Sequence, residues 1–76
     1  MESMASEVRA HITGTVWKIL VKPGDLVAQD QTLVILESMK MEMPLESPDA
    51  GRVESVAVAE GASVDEGDLI LILESV

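Results

Sequence analysis

At 76 residues the chain has room for one domain and one site, and it is too short to bury a deep core. It has no cysteine, so disulfides and thiolate metal sites are excluded; a reducing compartment, the cytoplasm or the interior of an organelle, fits. A formal charge of -9 argues against nucleic-acid and anionic-membrane partners, which demand Lys and Arg against phosphate, and favours basic protein partners.

Met1 to Glu7 has neither a basic start nor an apolar run, so it is no secretory signal or membrane span, and residues 1–6 are expected to fray. From there to Val76 the chain reads as one domain of strands. Runs rich in Val, Ile and Leu predict them at Glu7 to Ile12, Thr15 to Val21, Thr32 to Ser38, Met41 to Ser47, Arg52 to Ala59 and Leu69 to Ser75. No segment carries a helical stripe. In the second strand Val16, Lys18 and Leu20 alternate with Trp17, Ile19 and Val21, a pattern that suits a thin sandwich buried on both faces. Trp17, the one aromatic side chain, is expected at a sheet edge. Pro23-Gly24-Asp25, Pro48-Asp49-Ala50-Gly51, Glu60-Gly61 and Glu66-Gly67-Asp68 punctuate the strands as turns.

The first half reappears in the second at a constant offset of 37 residues. Gly14, Val16, Val21, Gly24, Val27 and the run Ile35-Leu36-Glu37-Ser38 recur as Gly51, Val53, Val58, Gly61, Val64 and Ile72-Leu73-Glu74-Ser75. The two half-repeats span about 14–39 and 51–76, too few units for a solenoid, so they are expected to close on one core with pseudo-two-fold symmetry. Asp30 stands where the second copy has Gly67, and Asp tolerates left-handed backbone better than most residues.

The repeat also isolates what is unique. Glu37-Ser38 has an echo and reads as scaffold, whereas Met39-Lys40-Met41 occurs once, between two strands with almost no linker. Lys40 is therefore expected at the tip of a tight hairpin, at the pole opposite the chain ends, in a turn that lacks the usual Gly or Asn. Such a local violation of turn chemistry points to function.

Glu37-Ser38-Met39-Lys40-Met41-Glu42, preceded by Gly14-Thr15-Val16 and Pro23-Gly24-Asp25, resembles the biotinyl carrier domains over nearly the whole chain. The resemblance implies an all-β flattened barrel-sandwich of two antiparallel four-stranded sheets. It implies biotin joined covalently to Lys40 by biotin protein ligase, with Met39 and Met41 recognised by that ligase and Glu37 and Glu42 flanking. It further implies a carrier rather than an enzyme, shuttling a carboxyl group between a biotin carboxylase and a carboxyltransferase. Related lipoyl domains share the halves and the hairpin but typically place their lysine between Asp and a small apolar residue. This chain departs from the biotinyl pattern at Ser38, usually Ala, at Asp30, commonly Gly, and in the approach His11-Ile12-Thr13, where a proline is common. It has no inserted thumb.

Other readings compete. A lipoyl carrier of a 2-oxoacid dehydrogenase-type system is the nearest, and an unmodified barrel-sandwich adaptor is another. Met39, Met41 and Met43 could form an alternating thioether stripe for Cu(I), with His11 as a nitrogen ligand.

Overall fold

Short apolar runs separated by glycine-bearing turns fold into strands and nothing else in the computed structural model, which describes residues 5–75. The strands are β1 (Ala5–Arg9), β2 (Gly14–Ile19), β3 (Leu26–Val27), β4 (Thr32–Ser38), β5 (Met41–Glu46), β6 (Gly51–Val56), β7 (Ser63–Val64) and β8 (Leu69–Glu74). They build two antiparallel four-stranded sheets, ordered β1-β8-β6-β3 and β5-β4-β2-β7. Each of the six expected strands is present, several with trimmed ends. Ala5 and Ser6, assigned by the sequence to the N-terminal segment, open β1; residues 1–4 and Val76 lie outside the described residues. Among the described residues no helix is long and apolar enough to cross a membrane.

The 37-residue offset holds in three dimensions. It carries β2 onto β6, β3 onto β7, β4 onto β8 and β1 onto β5, so one sheet maps onto the other. Each half lends its two-residue strand to the opposite sheet: β3 pairs with β6, and β7 pairs with β2. The core obeys the same rule. Val8 and Leu45, Val16 and Val53, Val27 and Val64, Leu33 and Ile70, Val34 and Leu71, and Leu36 and Leu73 are all buried. Ala10 has Ser47 as its mate, also buried, whose hydroxyl donates to the Asp49 carbonyl and so carries no unmet polar group inside.

Four turns repeat in pairs with positive φ at their third residue, as type II turns require: Gly24 (96°), Asp30 (69°), Gly61 (91°) and Gly67 (92°). Asp30 is the one non-glycine among them, as the offset from Gly67 predicts. Side chains reinforce the corners: the Lys22 N–H donates to Asp25 Oδ2, the Ala28 N–H to Gln31 Oε1 and the Asp65 N–H to Asp68 Oδ2.

The expected alternation in β2 fails for a physical reason. The register between β2 and β4 shifts between Val16 and Lys18, so Trp17 is an extra residue that opposes none. The bulge leaves Val16 buried with Val21, and Ile19 packed against the core, while Trp17, Lys18 and Leu20 are exposed. One face of β2 is therefore wet, not both buried. Trp17 also lies in an interior strand, although its neighbour β7 reaches only Gly14 and Thr15.

Two constraints shape the region of the unique tripeptide. Gly14 runs so close to β4 that an added Cβ would collide with the Glu37 carbonyl oxygen; at its mate Gly51 the same atom would lie 2.6 Å from the Glu74 carbonyl oxygen. Ahead of that crossing, Ser38 pairs with Met41 across a two-residue loop, and both loop residues have positive φ, 53° at Met39 and 65° at Lys40. That is the type I′ requirement, which Asn-Gly meets with least strain and which costs other L-residues roughly 1–2 kcal/mol each.

Gly14→Ala and Gly51→Ala should each destabilise the domain by roughly 1–3 kcal/mol through overpacking against backbone, lowering Tm by about 4–8 °C per kcal/mol in a thermal melt. Tolerance of alanine at both sites would show that the sheets can separate there. Conversely, replacing Met39-Lys40 by Asn-Gly should raise stability by about 1 kcal/mol or more, and an unchanged Tm would mean that the tip is not strained.

Candidate functional site

The tip is built by two strands whose apolar residues are consumed by the core up to Leu36 and Leu45. Beyond them the hairpin projects polar and unpartnered groups. Glu37 and Glu42 stand directly opposite each other and exposed, one pair below Ser38 and Met41. Like charges in that arrangement are unfavourable. The exposed Lys40 above them supplies the only opposite charge within the hexapeptide, and the two ion pairs among the described residues, Arg9 with Glu7 and Lys22 with Asp25, leave it out.

Met39 is 92% exposed and Met41 62%, an unusual fate for apolar side chains in a chain that buries its aliphatic residues so thoroughly. The site residues expected from the sequence, Glu37, Met39, Lys40, Met41 and Glu42, are thus gathered on one exposed hairpin end. The thioether stripe is not. Met39 belongs to the turn, which takes it out of the alternation with Met41 and Met43, and Met43 is half-buried opposite Leu36. His11 sits exposed in the bend after β1.

The strand leading away from Lys40 is the open edge of its sheet. Counting from the tight turn, Ile35 and Pro44 form a non-hydrogen-bonded pair, so the proline nitrogen faces the open edge and removes a donor where another chain could add. The blunted edge keeps an exposed lysine hairpin from becoming an aggregation template. Leu20 and Pro44, exposed on the same sheet region as Trp17, were not singled out by sequence; comparing each with its mate 37 residues away would have marked them.

The family described as "Biotin-requiring enzyme" matches residues 3–73. A biotinylated protein TB7.3 homologue of Mycobacterium leprae is 43% identical over 92% of this chain and 99% of its own length. The biotin/lipoyl attachment protein of Bacillus subtilis is 43% identical over 90% of this chain and 93% of its own. The dihydrolipoyllysine-residue acetyltransferase of the Azotobacter vinelandii pyruvate dehydrogenase complex is 51% identical over 80% of this chain, which spans 10% of that protein. Among solved structures, a single-chain, multi-domain long-chain acyl-CoA carboxylase superposes with a TM-score of 0.89 at 35% identity, over 95% of this chain and 7% of that one. The two-sheet fold, its lysine hairpin and a match running almost end to end agree: the chain belongs to the biotin/lipoyl attachment domain family of biotin-requiring enzymes.

Proposed function

We propose that the chain is a biotin carboxyl carrier domain, biotinylated on Lys40 by biotin protein ligase and serving a biotin carboxylase and a carboxyltransferase in turn. The observation that supports this most directly is the tip itself: an exposed lysine between two exposed methionines, held in left-handed backbone on a tight hairpin. An amide-linked cofactor needs an accessible primary amine, and Lys40 offers one that is exposed and takes part in no ion pair among the described residues. When attached, biotin supplies a ring nitrogen that accepts and releases a carboxyl group.

The chain's own part is presentation. Lys40 Nζ becomes an amide nitrogen and loses its charge, while the lysine stem supplies the inner length of a flexible arm. The strained turn fixes where that arm begins, and the tether replaces diffusion between two enzyme sites by a high effective concentration. Met39 and Met41 offer adaptable apolar surface that a ligase can read without a charged contact.

A lipoyl carrier is the second reading, favoured by the 51% identity to the Azotobacter vinelandii acetyltransferase. The residues next to the lysine separate the two. Lipoyl domains typically have Asp before it and a small apolar residue after it, where this chain has Met39 and Met41. Co-expression with biotin protein ligase and biotin should raise the intact mass by one biotinyl amide, and Lys40→Arg should abolish the gain. Lipoate ligase with lipoate, run in parallel, should leave the mass unchanged; a lipoyl adduct without a biotinyl one would replace the first reading by the second.

A further inference from the structure

The internal repeat provides a control for surface as well as core. Burial of Val16, Val34, Leu36 and Leu45 defines the inner face of the hairpin sheet. Its outer side carries Trp17, 41% exposed and next to Lys18 in the chain, Leu20, 53% exposed and just past the end of β2, and the half-buried Ile35, paired with Lys18 on β2 and with the exposed Pro44 on β5. At the equivalent positions of the other sheet stand Glu54, Ala57, Ile72 and Glu7. The scaffold therefore does not need an aromatic or a leucine at these places. Leu26, also exposed, is isolated on the two-residue β3 opposite Arg52.

Charge differs between the two faces as well. On the hairpin sheet Glu37, Glu42 and Glu46 are exposed and take part in neither ion pair found among the described residues, and Lys18 lies 5.8 Å over the Trp17 ring. On the opposite sheet Glu7 is paired with Arg9 at 2.7 Å. An apolar centre with unpaired carboxylates around it fits a partner whose surface is an apolar hollow rimmed by Lys and Arg. A second copy of this chain, itself at -9, brings the wrong charge.

Reach connects this face to the site. Ile35 lies three residues from Ser38, roughly 10 Å along the strand. A standard protein interface covers roughly 800 Å² on each partner, a disc of about 16 Å radius, so one partner that grips the tip can also cover Trp17. We propose that this outer face, centred on Trp17, is the docking surface through which the ligase that modifies Lys40 holds the carrier. The proposal rests on the biotin reading of Lys40 and adds a second contact region on the same partner.

The test measures biotinylation kinetics with biotin protein ligase, biotin and ATP. Trp17→Glu installs the residue of the other copy and should raise the KM for the carrier about tenfold with kcat nearly unchanged, the loss expected for an interface aromatic that acts in binding alone. Leu20→Lys should raise KM in the same direction, Trp17→Phe should restore most of the affinity, and Glu54→Gln on the opposite sheet should change nothing. Because Trp17 is the sole tryptophan, ¹⁵N-labelled carrier gives one indole N–H resonance, which should shift on adding unlabelled ligase with biotin and no ATP. Wild-type biotinylation with unchanged KM in both Trp17→Glu and Leu20→Lys overturns the docking surface and leaves the carrier reading standing. No biotinylation of the wild type overturns both. An indole shift that follows carrier concentration alone assigns the face to a second copy and overturns the ligase as its occupant.

Discussion

Neither half of this chain can close a sheet alone, because β3 belongs to the sheet of the second half and β7 to that of the first. This reciprocal exchange makes the two halves one cooperative unit and forces their apolar residues into a shared core of matched pairs. It also fixes the poles. Glu37 and Glu42 below the tip have Glu74 and Ala5 as their symmetry mates, and these two pair with each other as Glu37 and Glu42 do. A lysine at that tip is presented at the pole opposite the Ala5–Glu74 pair.

The same symmetry separates scaffold from function more sharply than any single residue could. Gly14 and Gly51 meet backbone carbonyl oxygens of Glu37 and Glu74 at mated crossings, which explains why both glycines repeat. What the repeat does not reproduce is the lysine of Met39-Lys40-Met41 on the tip and the apolar side chains of Trp17, Leu20 and Pro44 on the outer face. The left-handed backbone at Met39 and Lys40 opposes stability in a small domain with little to spare. Its persistence is understandable if the side chains at these two positions matter more than the turn's own preference.

Much of this was legible in the sequence because the offset of 37 residues let each half be read against the other. Asp30 is an example: an aspartate alone says little, but its mate Gly67 marks a positive φ, and the structure has it at both. Lys40 at a tight hairpin was legible from the absence of any linker between two strands. The two-residue strands β3 and β7 were not, since two residues carry no periodicity and their pairing partners lie in the other half. Nor was the bulge at Trp17, because an inserted residue looks like ordinary alternation until its partner strand is known. The wet outer face followed from that bulge and was missed with it.

Among the residues near the tip, then, the scaffold is common to biotinyl and lipoyl attachment domains, and the proposed choice between cofactors rests on the two methionines beside Lys40. The most direct measurement is a cofactor exchange on the purified protein. Wild type and a Met39→Asp, Met41→Ala double variant are each incubated with biotin protein ligase and with lipoate ligase, and intact mass is recorded. Biotin on the wild type alone, with a shift toward lipoate in the variant, is the predicted result. Equal biotinylation of both proteins would contradict it and move the source of specificity away from the tip.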